Sequence, residues 1–267
     1  MNEVTQLREG PQPAPVQQHV EIAFHNVSYG SNSQAILNDL SFVVEKGETL
    51  ALLGRSGAGK TTALKLMNRL YEPTSGEVIV QGRSTMEWDP IQLRRSIGYV
   101  IQESGLFPHY TIRENVGIVP SLERWPREKI SVRVEQLLSM IGMPLHEFGA
   151  RYPHELSGGQ RQRVGVARAL AADPPILLMD EPFAALDPIT RAELQHEFLN
   201  LQQQLRKTVV LVTHDLREAL LLGTCVALLE NGRLTLMARR EEFLSSPDTA
   251  VQAFVKPFLE AEQLLPR

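Results

Sequence analysis

The sequence predicts an α/β fold: a mixed β-sheet core joined by an antiparallel β subdomain and interrupted by an inserted helical subdomain. Three observations predict it. Short apolar runs at ILLMD and TVVLVTH have the texture of strands buried on both faces of a parallel sheet, and ETLALLG is a further short apolar run. Alternating apolar and polar residues near the N-terminus mark strands with one exposed face. Strand signals fade between about 103 and 172, where helical periodicity with Pro punctuation takes over.

In chain order, EIAFHNVSYG at 21–30 and LSFVVEKGE at 40–48 alternate and read as strands followed by turns. ETLALLG at 48–54 is a strand entering a glycine loop, and Ala63, Leu66, Met67 and Leu70 then recur at helical spacing. GEVIVQG at 76–82 and SIGYVIQ at 96–102 add strands, the second closing near Gln102. Within the helical stretch lie IRENV, VRVEQLLSMIGM and the Ala-rich VGVARALAA. The sheet resumes with ILLMD at 176–180 and TVVLVTH at 208–214, and ITRAELQHEFLNLQQQLRK is the crossover helix between them. VALLENGRLTLMA reads as a hairpin turning at Asn231-Gly232, and EEFLSSPDTAVQAFV as mostly helix.

Composition narrows the function. A length of 267 residues and 43% hydrophobic content suffice for one large or two modest packed domains. A net charge of −4 argues against an electrostatic grip on nucleic acid, which needs a basic face. The single cysteine, Cys225, excludes an internal disulfide and reads as a small buried hydrophobe. Residues 1–18, with Pro11, Pro13 and Pro15, read as a flexible tail rather than a secretory signal. The longest nearly apolar run, Ala219 to Leu229, falls short of the ~20 residues a bilayer span requires.

The chemistry begins at GRSGAGKTT. Gly54, Arg55, Ser56, Gly57, Ala58, Gly59, Lys60, Thr61 and Thr62 follow a strand and open a helix, the setting in which G-x-x-x-x-G-K-[ST] cradles phosphates with backbone amides. Lys60 is placed to neutralise the β/γ phosphates and Thr61 to offer a hydroxyl to Mg²⁺. ILLMD ends in Asp180, a carboxylate at the C-terminal edge of the sheet that can hold Mg²⁺ through water, and Glu181 beside it can polarise an attacking water. His214 and Gln102 end strands at the same edge and have either a structural or a catalytic role. Tyr29 could stack on adenine. Residues 156–164, LSGGQRQRV, offer a second anion-binding turn at Ser157, Gly158, Gly159 and Gln160, with Ser157 as a helix cap.

With GRSGAGKTT, Gln102, LSGGQ, ILLMDE, ALDP and VTHD in that order, residues 20–240 resemble the ATP-binding cassette (ABC) ATPases, a branch of the P-loop NTPases. The resemblance implies ATP and Mg²⁺ as ligands. It makes Tyr29 the adenine-stacking aromatic, Gln102 the glutamine that senses Mg²⁺ and the γ-phosphate, Glu181 the catalytic carboxylate and His214 the switch histidine. Asp187 resembles the residue that crosses a dimer interface, and Ala184 departs from the Ser many members carry there. Two such cassettes meet head to tail, so Ser157 and its glycines would face the ATP held by a second copy in a homodimer.

The stretches 99–130 and MDEPFAALDPITRAELQHEFLNLQ are most similar to the ATPase subunits of quaternary-amine osmoprotectant importers, of glycine betaine, choline or proline betaine type. That likeness implies transmembrane permease subunits, a substrate-binding protein reached indirectly, and a peripheral place at the cytoplasmic face of the inner membrane. Leu106, Phe107 and Pro108 would dock on the permease, although Phe107 could equally be packed inside. The implied division is a tail at 1–18, an ATPase domain at 19–242 with a helical subdomain at about 103–172, and a helical extension at 243–267 without CBS domains. A cassette for another small solute, a soluble non-transport ABC ATPase and a small-molecule kinase are the alternatives; the kinase would leave LSGGQ, His214 and ALDP unused.

Overall fold

The computed structural model describes residues 20–31, 34–102 and 105–263. Two sheets organise it. Strands β1 (Val20–Ser31), β2 (Gln34–Glu45), β4 (Ser75–Val80) and β5 (Arg83–Ser84) form an antiparallel sheet in the order β2-β1-β4-β5. The larger sheet runs β10-β9-β3-β8-β7-β6, from β3 (Thr49–Leu53), β6 (Ile97–Val100), β7 (Ile176–Asp180), β8 (Thr208–Thr213), β9 (Cys225–Glu230) and β10 (Arg233–Arg239). Its strands are parallel except β10, which turns back on β9 through Asn231 and Gly232, both at positive φ as a two-residue hairpin turn requires.

Side-chain alternation explains why the interiors of the central strands β3, β7 and β8 are apolar. Leu50, Leu52, Ile176, Leu178, Val210 and Val212 point to one side, where they meet α1 (Lys60–Met67) and the inner face of the antiparallel sheet. Their neighbours Leu177, Met179, Val209 and Leu211 point to the other side, against α3 (Ile112–Leu122), α4 (Arg127–Met140), α6 (Gly158–Leu170) and α7 (Pro188–Leu205). Ala51, Leu53, Val226 and Leu228 pack on α8 (Leu216–Leu222), α9 (Arg240–Leu244) and α10 (Thr249–Gln263). The sheet is therefore buried on both faces, and only its edges are available for chemistry.

Several boundaries differ from those the sequence predicts. β2 starts earlier, at Gln34, because the whole segment pairs with β1 across the Phe24–Phe42 stack. Leu70 leaves the helical face: α1 ends at Met67, Arg69 turns at φ 52, and Leu70 is exposed. β6 stops at Val100, so Gln102 lies beyond the strand. The last helical stretch divides into α9 and α10, and α2 (Pro90–Arg95), capped by Asp89, had no strong periodic signal. Residues 105–172 hold α3 to α6, the short α5 (Leu145–Phe148) and a 3₁₀ turn, and no strand. Cys225 is buried, and burial pushes its thiol up to about 11. Among the described residues no helix is long and apolar enough to cross a membrane; residues 1–18 lie outside them.

Candidate functional site

The glycine loop runs from the end of β3 into α1, and two of its glycines are dictated by space. A Cβ on Gly54 would stand 2.4 Å from the Leu229 carbonyl oxygen. Gly59 caps α1 at φ 99, and a Cβ there would lie 2.5 Å from Leu37 Cδ2. Gly59→Ala is expected to lower stability by about 1–3 kcal/mol in denaturant unfolding, from strain and overpacking together. Unchanged stability would contradict the packing of this loop.

Lys60 is 5% exposed, and its Nζ donates to the carbonyl oxygens of Gly54 and Arg55 at 2.8 and 3.0 Å. Burial lowers its pKa, while Glu181 and Asp180 oppose the shift. The ammonium is thus held against the loop by two acceptors that an anion in the loop could replace. Arg55, Ser56 and Gly57 are exposed and, with Ala58, line a cavity of about 180 Å³. Thr62 follows as a half-buried residue of α1.

Asp180 ends β7 and is brought to α1 by strand order: Thr61 Oγ1 donates to its Oδ1 at 2.9 Å. Burial raises the Asp180 pKa, with the Thr61 hydrogen bond opposing. Tyr99, on the neighbouring strand, donates to Oδ2 at 3.5 Å, and burial beside that carboxylate pushes its phenol up strongly. A hydroxyl and a carboxylate side by side are hard oxygen donors of the kind a small divalent cation prefers. They fit such an ion as part of a shared shell, since no cluster of three His, Cys, Asp or Glu suited to a metal occurs among the described residues.

Glu181 leaves the strand at φ 44, a conformation unfavourable for a residue with a Cβ, held by its N–H donating to the Val212 carbonyl at 3.0 Å. This turn sends its carboxylate away from Asp180's direction and toward His214, whose Nδ1 approaches Oε2 to 3.2 Å. The pair forms where β7 and β8 end side by side. Gln102 is exposed and makes no hydrogen bond to Thr61, Asp180 or Glu181. Instead it lines a cavity of about 340 Å³ with Gly158, Arg161, Gln162, Pro182, Ala185 and Leu186.

The second glycine turn is a helix start. Ser157 caps α6, accepting from the Gln160 N–H at 3.2 Å while Gln160 Oε1 accepts from the Ser157 N–H at 2.9 Å. Gly159 is buried because a Cβ would strike Thr190 Cγ2 at 2.5 Å, whereas a Cβ on Gly158 would meet nothing closer than 4.0 Å. The two glycines therefore differ: Gly159 lets α6 close on α7, and Gly158 faces open space. Asp187 caps α7, accepting from the Ile189 and Thr190 N–H groups, and the Thr190 bonds hold its carboxyl below the usual range. Tyr29 stacks on Tyr71 at 5.0 Å between centroids, so one face of its ring is covered. Leu106 is half-buried; Phe107 and Pro108 are exposed, with Phe107 ringed by His109 and Tyr110.

Tyr99, Tyr71 and Phe254, whose ring lies 6.0 Å from the Arg55 guanidinium, adjoin the predicted residues from outside the motifs. Only Tyr99 carried a usable signal, because alternation along SIGYVIQ puts it on the face that meets α1.

Residues 37–184 match the family described as ABC transporter. The chain is 49% identical over 237 residues to the glycine betaine/carnitine/choline transport ATP-binding protein of Bacillus subtilis, covering 89% of this chain and 61% of that protein. It is 44% identical over 243 residues to the glycine betaine uptake system ATP-binding protein of Escherichia coli, covering 91% and 78%. The chain spans about three fifths of the length of the first curated relatives it matches. A dimeric ATP-binding cassette bound to ADP and Pi superposes with a TM-score of 0.73 at 33% identity, covering 82% of this chain and 98% of that one. A component of a Clostridium perfringens ABC transporter complex gives 0.79 at 25%, covering 92% and 100%.

Proposed function

This chain belongs to the ABC transporter family, and from that premise we propose that it is the ATP-hydrolysing subunit of an importer of quaternary ammonium osmoprotectants. The observation that carries the catalytic half is the convergence of Lys60, Thr61, Asp180, Glu181 and His214 on one edge of one sheet. The names of the relatives carry the choice of solute.

In this reading Lys60 exchanges its two carbonyl acceptors for phosphate oxygens, and its partial desolvation strengthens the new contacts. Thr61 and Asp180 would hold Mg²⁺, which supplies charge neutralisation on the β- and γ-phosphates. Glu181 accepts a proton from the attacking water at its carboxylate, and His214 fixes that carboxylate's orientation. Two copies assemble head to tail, with Ser157 and open Gly158 of one facing the glycine loop of the other. The proposed division is an ATPase domain at 19–242 with its helical insertion at about 103–172 and a C-terminal extension at 243–267; residues 19, 32–33, 103–104 and 264–267 lie outside the described residues. The subunit sits peripherally at the cytoplasmic face of the membrane, where segment 106–108, through exposed Phe107 and Pro108, meets a permease and, through it, a binding protein.

The test is uptake of radiolabelled glycine betaine or choline at raised osmolarity, in cells with and without the chain. Chain-dependent uptake, with recovery of a membrane permease on the tagged chain, is expected. Uptake that is identical in its absence removes the solute assignment, and recovery only with ribosomes or DNA removes transport.

A further inference from the structure

Behind His214 lies a buried polar cluster that the mechanism above leaves unused. Glu218 on α8 is 6% exposed, and its Oε2 accepts a hydrogen bond from the Thr213 hydroxyl. The same Thr213 oxygen accepts from the Asp215 N–H at 3.0 Å, and Asp215 Oδ1 accepts from the Arg217 and Glu218 N–H groups at the start of α8. Both neighbours of His214 are thus tied to Glu218, one through its side chain and the other through the cap. From α7, Arg191 donates to the Leu186 carbonyl at 3.1 Å and approaches Asp215 Oδ2 to 4.0 Å, so the loop before Asp187 joins the same cluster.

Resting on the ATPase reading, we infer that Glu218 is a positioning residue for hydrolysis: it sets the Thr213–Asp215 loop so that His214 meets Glu181, and with Arg191 it links that loop to the one carrying Asp187.

Two features separate this from ordinary core packing. Arg191 Nε is buried without a hydrogen-bond partner, and Glu218 Oε1, of opposite charge in the same cluster, is buried with the Gln195 side chain of α7 beside its carboxyl as a hydrogen-bonding group. Unmade buried bonds are unfavourable, so the Arg191 Nε–H is a donor left open within the cluster. Burial also pushes the Glu218 carboxyl from its ordinary 4.5 up to about 7; Asp215 adds to the rise, while Thr213, Arg191 and Gln195 oppose it. β3 and β8, packed against α8, contribute no charged residue of their own. An acid whose folded pKa exceeds its unfolded one lowers stability as pH climbs from 4.5 toward 7, and the loss is complete above 7.

The experiment uses the full chain and compares Glu218→Gln with wild type in two readouts: steady-state ATPase, and the NMR resonance of the His214 ring without nucleotide. The expected result is a kcat lower by about tenfold or more, KM for ATP within about twofold, and a displaced ring resonance. Thr213→Val removes the hydroxyl at nearly constant shape and supplies the same kinetic test if Glu218→Gln does not fold; where both fold, their kcat losses are expected to be non-additive. Unchanged kcat, an unmoved resonance or additive losses overturn the inference. A wild type without ATP turnover overturns the proposed function instead, and the ring resonance alone then decides the role of Glu218.

Discussion

Glu181→Gln is expected to abolish turnover, lowering kcat by about 10²–10⁴, while ATP affinity stays within a few-fold. The substitution keeps the side-chain volume and the backbone constraint at φ 44, where the N–H bond to Val212 is independent of the side chain. It removes only the acceptor for a proton and one negative charge. Lys60 and Thr61, which make the contacts assigned to phosphate and cation, are untouched. Binding should therefore survive while the chemical step fails, and ATP should accumulate in a trapped dimer visible by size-exclusion chromatography with light scattering. Turnover near that of wild type would remove Glu181 from the reaction.

Mixing two inactive variants is expected to restore activity. Lys60→Ala disables the glycine loop, and Ser157→Arg blocks the open N-terminus of α6 where Gly158 faces free space. Neither homodimer has a complete site. A head-to-tail heterodimer has one, formed by the intact loop of the second variant and the intact Ser157 of the first, so an equimolar mixture should recover about a quarter of wild-type ATPase if subunits exchange freely. Among the described residues the two halves stay apart within one chain: the cavity beside Gly158 and the one beside Arg55 share no lining residue. A mixture as inactive as its components, with subunit exchange demonstrated, would refute the composite site.

Much of the fold was legible because its signals are local. Alternation along EIAFHNVSYG, apolar runs such as TVVLVTH, the Asn231-Gly232 turn and the Ser157 cap each depend on residues a few positions apart. Boundaries set by pairing were not. β2 extends to Gln34 because β1 is there to receive it, and Leu70 turns outward because Arg69 adopts a left-handed conformation. The split into α9 and α10 is different in kind, since it falls at Pro247 and Asp248, whose carboxylate accepts from the Ala250 and Val251 N–H groups, a local signal.

The site divides likewise. The sequence by itself determined which side chains can do the chemistry: a lysine and threonine after a glycine loop, an Asp-Glu pair closing an apolar strand, a histidine closing another, and a capped Gly-Gly turn. Tertiary structure decided who meets whom. Thr61 finds Asp180 from 119 positions away, Tyr99 reaches the same carboxylate from 81, and His214 meets Glu181 only because β7 and β8 are neighbours. It also separated Gly159, packed on Thr190, from Gly158, left open, and gathered Thr213, Glu218 and Arg191 behind the histidine. The physical reason is that local period and capping act over one or two turns of chain, whereas a side chain's partner is chosen by strand order and helix packing, which bring together residues that sequence spacing keeps apart.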